Sequence, residues 1–487
     1  MKKLIYILTV CASFIATETY AQETFIKGYG NTGYDFGRDI LQDTDTGYVI
    51  TGSSSSFAGA DAEAFLLKID KYGDFVWSYN YGGSATEWGE QIVVTHDSTY
   101  AIGGYTNSYG AGGFDFYLVR IAADGTPIWE NYYGGADWDR AYAVKQLADS
   151  GFVMVGETYS FNGGIRSGYM VRTDKYGDLL WEIPILDENP SFFTDLSVDG
   201  DSIVVCGGIG DGGEDSFDGF VVKYNIDGTF GWEQRIGQEH NDYFNAVQSV
   251  GGFYSFGGAR GYNFPDEKLN MWMYRMSDIG EFVVDTIYFT TAPEDDIVND
   301  IAIRGDQDYA FVGQTKSFGY GTADGKYDIF MAKMNVFYTH LAAQNYGEAG
   351  DDIGYAIERT IDGGAIIVGD TKFLSTGGNN IIVIKINVIW DHPDLIEIIE
   401  IDDITNSLPT YLESSDFTVY PNPFTDQITV PSFDFGSVYA IYGLDGQLII
   451  EDKFVSENID LHKLQSGIYL LTIRTKDGIY KKRIVKN

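Results

Sequence analysis

Five histidines, two cysteines and 71 acidic residues bound the chemistry open to this 487-residue chain. His96, His240, His340, His392 and His462 share no H-E-x-x-H or other ligand spacing, so no zinc centre is expected. Cys11 lies near the N-terminus. Cys206 sits in the apolar run I-V-V-C-G, where a thiol behaves as a small core residue. No G-x-S-x-G nucleophile elbow occurs. Gly319-Tyr-Gly-Thr-Ala-Asp-Gly325-Lys326 departs from a phosphate loop: the spacing is one residue too long, and Tyr327 stands where Ser or Thr would hold magnesium. Three acidic loops offer oxygens to calcium: Asp43/Asp45, Asp211/Glu214/Asp215 and Asp351/Asp352. None follows the twelve-residue pattern with Gly at six and Glu at twelve. Turn-forming Asp accounts for them, with a structural calcium as the alternative. No cofactor is expected.

One charged constellation recurs. Asp35, Glu87, Asp139, Asp242, Asp296 and Asp352 each open a strand-like segment, with Ser191 at the matching place in a seventh. Lys68, Arg120, Arg172, Lys223, Arg275, Lys333 and Lys385 each close another. These predict two rings of opposite charge, either a charged channel mouth or a repeated contact that caps or pairs turns between neighbouring units. Repetition in nearly every copy favours the structural contact, because a ligand site usually breaks symmetry. Less regular aromatics, Phe36, Trp88, Trp138 and Tyr243, flank the acids. Such rings beside carboxylates and glycines stack on sugars, or they fill the seam between units. The seam is the preferred reading, and Trp88, Trp138 and Tyr243 are the binding candidates.

The elements that position these residues come from a repeat. Lys68 to Gly83 reads K-I-D-K-Y-G-D-F-V-W-S-Y-N-Y-G-G and returns at Arg120 to Gly135. Trp77, Trp129, Trp181 and Trp232 fall 52, 52 and 51 residues apart. Each copy holds four strand-like segments, in the first Arg38–Gln42, Tyr48–Ser53, Ala64–Ile69 and Phe75–Tyr81. In the last of these, Phe75, Trp77, Tyr79 and Tyr81 share one face. The second segment ends on glycine in all seven copies: Gly52, Gly104, Gly156, Gly207, Gly257, Gly313 and Gly369. Seven four-stranded units of about 52 residues predict an all-β, seven-bladed β-propeller over 22–390. A stacked solenoid is the alternative. Closure is favoured by the ends. The seventh copy lacks its fourth segment, and Phe25 and Tyr29 lie 52 residues before Trp77 and Tyr81. Thr24–Tyr29 is therefore expected to pair with Ile381–Ile386. The repeats resemble bacterial surface propellers of D-G-x-x-x-W-x-x-x-Y-G-G type, a likeness that concerns fold rather than activity.

Residues 391–415 carry seven acids and no Lys or Arg, and read as an acidic linker in which Ile396, Ile398, Ile399 and Ile401 could form a short strand. Residues 416–487 change character and predict a small β-sandwich with a hairpin at Asp445-Gly446. V-Tyr420-Pro421-Asn422-Pro423 opens this segment. A turn at Gly443, Asp445 and Gly446 follows, then L-Q-S-Gly467-I-Y, and a basic close around Lys482. In that order these motifs resemble the type A C-terminal sorting domain of the type IX secretion system. The resemblance implies a Gram-negative bacterium, engagement with that machinery, passage of the outer membrane, and a destination outside the cell or on its surface.

The N-terminus agrees with export. Lys2-Lys3 precedes an apolar run from Leu4 to Ala16, and Thr19-Tyr20-Ala21 predicts a signal peptide over 1–21 cut between Ala21 and Gln22. No later run of 18 apolar residues predicts a membrane span. The chain carries a net charge of −39, of which −32 lies in 22–390. This argues against nucleic acid and other polyanions as partners. The reading is a secreted or surface binding and adhesion module for a polysaccharide or surface protein. The alternative is a glycan-cleaving enzyme using paired carboxylates, whose separation the sequence does not show.

Overall fold

The computed structural model describes residues 24–487 apart from 32, 57–61, 211–215, 238–239, 264–266, 289–293, 305–307, 318–324, 336–339, 348–349, 373–377, 388–395, 401–418, 431–437, 443–447, 455 and 476–477. The expected signal peptide and its cleavage point therefore lie outside the described residues. So do Asp211, Glu214, Asp215, Gly443, Asp445 and Gly446. The chain divides into two compact units, Met1–Ile404 and Thr405–Asn487.

The first unit is a seven-bladed propeller. In blade one the strands are Asp35–Gln42, Tyr48–Ser54, Glu63–Ile69 and Phe75–Tyr81, and consecutive strands pair antiparallel in chain order. Blades two to six repeat that order. The seven inner strands are Asp35–Gln42, Glu87–Val94, Asp139–Gln146, Ser191–Asp199, Asp242–Val250, Asp296–Arg304 and Asp352–Arg359. Each lies against its neighbours, the first against the seventh, so the ring closes.

The closing strand is the expected one. Phe25–Gly30 runs antiparallel to Asn380–Ile386, from Phe25 opposite Lys385 to Tyr29 opposite Ile381. The stretch read as an acidic linker holds the short strand considered for its spaced isoleucines. Its residues Ile396–Glu400 pair in parallel with Phe25–Gly30, from Ile26 opposite Ile396 to Gly30 opposite Glu400, and add a fifth strand to blade seven. The physical reason is the open outer edge of the N-terminal strand, whose N–H and C=O groups need partners.

The 52-residue period has a contact behind it. Tyr81 Oη donates to the Gly125 carbonyl of the next blade at 2.7 Å, Tyr133 to Gly177 at 2.6 Å and Tyr29 to Gly73 at 2.5 Å. Gly125 has a φ of 89°, and a Cβ there would stand 2.3 Å from the Tyr79 ring. The outer strand's W-x-Y-x-Y face thus covers the D-G turn of the following blade, which only glycine can form at that distance. Blades seven, one and two are each stitched to the next by the residues that make the repeat visible.

Every inner strand also carries a bulge, at Arg38, Glu90, Tyr142, Thr194, Asn245, Asn299 and Tyr355 in turn. A bulge leaves one extra residue unpaired and re-aims its side chain. Cys206, as expected, is a buried free thiol in the core.

The second unit holds a four-stranded sheet, ordered Leu448–Lys453, Val438–Tyr442, Gly467–Thr475 and Gly478–Lys486, and a pair, Gln427–Thr429 with Asn458–Asp460. Phe424, Ile428, Ile441, Phe454, Leu471 and Ile484 share its core. Its two terminal motifs form one contact. Asn422 Oδ1 accepts from Val485 N at 2.8 Å, Phe424 N donates to the Val485 carbonyl at 2.8 Å, and Lys486 Nζ donates to the Leu461 carbonyl at 2.7 Å. Tyr420 is exposed and pairs with Thr429 across an isolated bridge. Gly467 opens the third strand of the sheet and Lys482 lies in the fourth.

Candidate binding site at the channel mouth

The strand-opening acids are structural. Asp35, Glu87, Asp139 and Asp296 are buried and accept from Ser54, Thr106, Thr158 and Thr315, each 19 residues on in the same blade. Ser56, Ser160 and Ser317 add second bonds, at 2.7, 2.8 and 2.7 Å. The bases close the other end. Lys68 pairs with Asp43 and Asp45, Arg120 with Asp97, Arg172 with Asp149, Lys333 with Asp308 and Lys385 with Asp362, all in the hairpin turn of their own blade. Blades four and five depart. Lys223 donates to the Asp278 carbonyl, and the Arg275 guanidinium lies 4.3 Å from the Phe253 ring centre. Five of the bases thus tie the turn of their own blade, while Lys223 reaches the turn of the next, the contact between blades that was expected.

Of the loops considered for calcium, Asp43 is engaged by Lys68 and by the Tyr100 hydroxyl, and Asp351 by Lys372 and Lys326. Among the described residues no group of three or more His, Cys, Asp or Glu is arranged to hold a metal ion.

A second set of inner-strand side chains links neighbouring blades inside the channel. Asp39 accepts from Ile92 N at 2.9 Å, Gln91 from Val144 N at 2.9 Å, Asp195 from Val247 N at 2.8 Å and Asp300 from Ile357 N at 2.9 Å. With Lys145, Gln248 and Glu358 they line a cavity of about 340 Å³. Burial pushes Asp39 up to about 6, against its backbone hydrogen bonds and the charge of Lys145. Burial and the Asp39 charge push Glu358 up to about 7. A carboxyl held above its unfolded value stabilises the fold while protonated, so this contribution is lost as pH rises from about 4 towards 7. Asp39→Asn keeps an acceptor for Ile92 N and removes the titration. It is expected to gain on the order of 1–1.5 kcal/mol relative to the unchanged protein between pH 5 and pH 8. Parallel melting curves across that range check this, and a constant difference between the two proteins would refute it.

Above this cavity, where the inner strands begin, the channel mouth loses its sevenfold symmetry. The Arg38 guanidinium lies over three rings: Tyr355 at 4.1 Å, Trp88 at 5.0 Å and Phe36 at 5.9 Å. Arg140 lies over Trp138 at 4.5 Å, Phe114 at 5.2 Å and Tyr105 at 5.7 Å. Arg166 lies over Phe192 at 4.1 Å. Carboxylates alternate with them: Arg38 stands 3.7 Å from Glu90, and Glu157 bridges Arg140 at 3.4 Å and Arg166 at 2.5 Å. Burial raises Glu90, opposed by the charges of Arg38 and Arg140 and a bond from Tyr105. Cation–π contacts and alternating charge hold the guanidinium planes in place. The positions matching Phe36, Arg38, Trp88 and Glu90 in later blades are mostly apolar or amide: Ile297, Ile353, Asn245 and Asn299. Asn245 and Asn299 spend their side chains on the Val298 and Gly354 carbonyls, both at 2.9 Å.

Two of the three candidate aromatics meet here. Trp88 is half-buried between Phe36 and Tyr105, so it fills a blade seam and also walls the mouth. Trp138 is 47% exposed. Tyr243 lies farther round, half-buried beside Phe192 at 6.5 Å. Sequence reasoning missed the arginines and their partners Glu90 and Glu157. The available signal was their position: Arg38, Glu90 and Arg140 stand one or three places after a repeating acid, where other blades carry different residue types.

Among curated proteins no sequence matches the chain. Solved structures similar to it include PorZ of Porphyromonas gingivalis, described as an essential bacterial surface component of the type IX secretion system. It has 11% identity and a TM-score of 0.41 over 95% of this chain, which spans 60% of that chain. The Neurospora crassa Pan2 WD40 domain has 12% identity and a TM-score of 0.44, covering 74% of this chain and 92% of that one. The propeller domain of the Pyrococcus furiosus Trilobed protease has 10% identity and a TM-score of 0.41, covering 77% and 99%. Residues 418–487 match the family described as the secretion system C-terminal sorting domain, so the seven-bladed propeller is followed by the tail that directs type IX export to the cell surface or the extracellular space.

Proposed function

We propose that the propeller is an extracellular polysaccharide-binding module whose site is the aromatic and arginine arc on blades one to four. The observation that carries this is the arc's asymmetry. A purely structural contact recurs in most blades, as the acid and base rings do, whereas Trp138, Arg38, Arg140 and Arg166 stand where other blades carry other residue types. Exposed aromatic surface next to fixed hydrogen-bond donors suits the apolar face and hydroxyl rim of a sugar. The enzyme alternative would draw on Asp39 and Glu358 in the cavity below. Both Asp39 oxygens are engaged by backbone N–H groups, from Ile40 and Ile92, which favours a clamp over an acid–base group.

A glycan array followed by calorimetry tests the proposal. Trp138→Ala is expected to weaken the best array ligand by about tenfold, with no change in melting temperature because the ring is nearly half exposed. Unchanged affinity would move the site away from the arc.

A further inference from the structure

We infer that the arc recognises a carboxylate-bearing sugar, a uronic acid residue in a glycan, through the guanidinium groups of Arg38, Arg140 and Arg166. The inference rests on the polysaccharide reading above and names the chemistry of its ligand. Three arginines lie within one arc of a chain whose net charge is −39. Their side chains are 22%, 25% and 29% exposed, so each is held from behind and open in front. Aromatic rings cover the guanidinium faces, which leaves the N–H edges to meet a ligand. Those edges are under-used. The Nε atoms of Arg38 and Arg140 are buried, that of Arg38 facing Glu90 at 3.7 Å, so the exposed part of each guanidinium is its terminal N–H pair, of which Arg140 Nη1 makes a long 3.4 Å contact to Glu157. A planar carboxylate is the group that a guanidinium fork meets with two parallel hydrogen bonds.

The charge balance narrows the class further. Glu90 and Glu157 offset two of the three cations, and Asp370, held by Asn379 near Arg38, offsets part of the third. The arc is thus close to neutral within a strongly negative propeller. A singly charged carboxylate gains the local donors, whereas a sulfate- or phosphate-rich chain meets the surrounding negative field. At physiological salt that field is screened beyond roughly 8 Å, so one acid group in contact answers to the arginines beside it. Trp138 adjoins Arg140, so one sugar ring can use both, its C–H face on the indole and its carboxylate on the guanidinium.

The test uses the secreted full chain and calorimetry. Oligomers of galacturonic, glucuronic and mannuronic acid are each compared with their methyl esters, which keep the ring and lose the charge. At least one acid oligomer is expected to bind about tenfold or more tightly than its ester, with a preference that shrinks as salt rises. Arg140→Gln is expected to abolish the preference, acid and ester oligomers then binding alike, in protein whose far-ultraviolet spectrum and melting temperature show it folded. Arg166→Lys, which keeps the charge without the fork, is expected to reduce it. Equal binding of acid and ester would overturn the carboxylate and leave the polysaccharide reading standing. A preference that survives Arg140→Gln and Arg38→Gln in folded protein would also overturn it. Array binding confined to ligands without sugar acids would do the same, and no binding to any glycan would overturn both readings.

Discussion

A chain lacking residues 22–30 is expected to lose most of its stability and to aggregate. Phe25, Ile26 and Tyr29 are all buried, and burying each such side chain contributes about 1.5–3 kcal/mol. Together that is about 5–9 kcal/mol, comparable with the whole stability of a typical domain. The deletion also removes the ladder to Asn380–Ile386 and the Tyr29 bond to Gly73 of blade one. Two further consequences follow from the fifth strand. Ile396–Glu400 loses the strand it pairs with, and blade seven is left with Asn380–Ile386 as an unpaired edge. Thermal melting and light scattering of the truncated and full proteins decide the matter. Equal melting temperatures would mean that the ring holds without its N-terminal strand. Truncation after residue 404 retains Ile396–Glu400 and should melt higher than truncation after residue 390.

Removal of residues 418–487 is expected to leave the propeller folded and to stop its delivery. The two units have separate cores, so melting of the propeller should be unchanged. Delivery depends on a tail whose opening and closing motifs meet through Asn422, Phe424, Val485 and Lys486. The shortened protein should therefore accumulate in the periplasm, with surface and medium fractions falling at least tenfold, a fall read by fractionation and immunoblotting. Surface display of the shortened protein at the original level would show that the tail is dispensable for export.

The blade count, the closing strand and the sorting tail were legible in the chain itself. They rest on short-range physics that repeats: alternation along a strand, glycine in a turn that a neighbouring Tyr and Trp cover, and an ordered set of terminal motifs. Phe25 announced the closure because it stands one full period before Trp77. The acid and base rings were visible as rings. Their meaning needed the Ser and Thr partners 19 residues away and the turn aspartates of the same blade, which no local pattern ties to them. The fifth strand was half visible, as spaced isoleucines, but its parallel partner lies about 370 residues earlier and is chosen by an open edge that exists only after the ring has closed. The arc was least visible of all. Arg38 and Arg140 are 102 residues apart and come together, with Trp88 between them, because two inner strands converge on one channel and carry bulges there. An arc of this kind departs from the repeat, so periodicity passes over it, and only the convergence of strands on the channel brings its parts within reach.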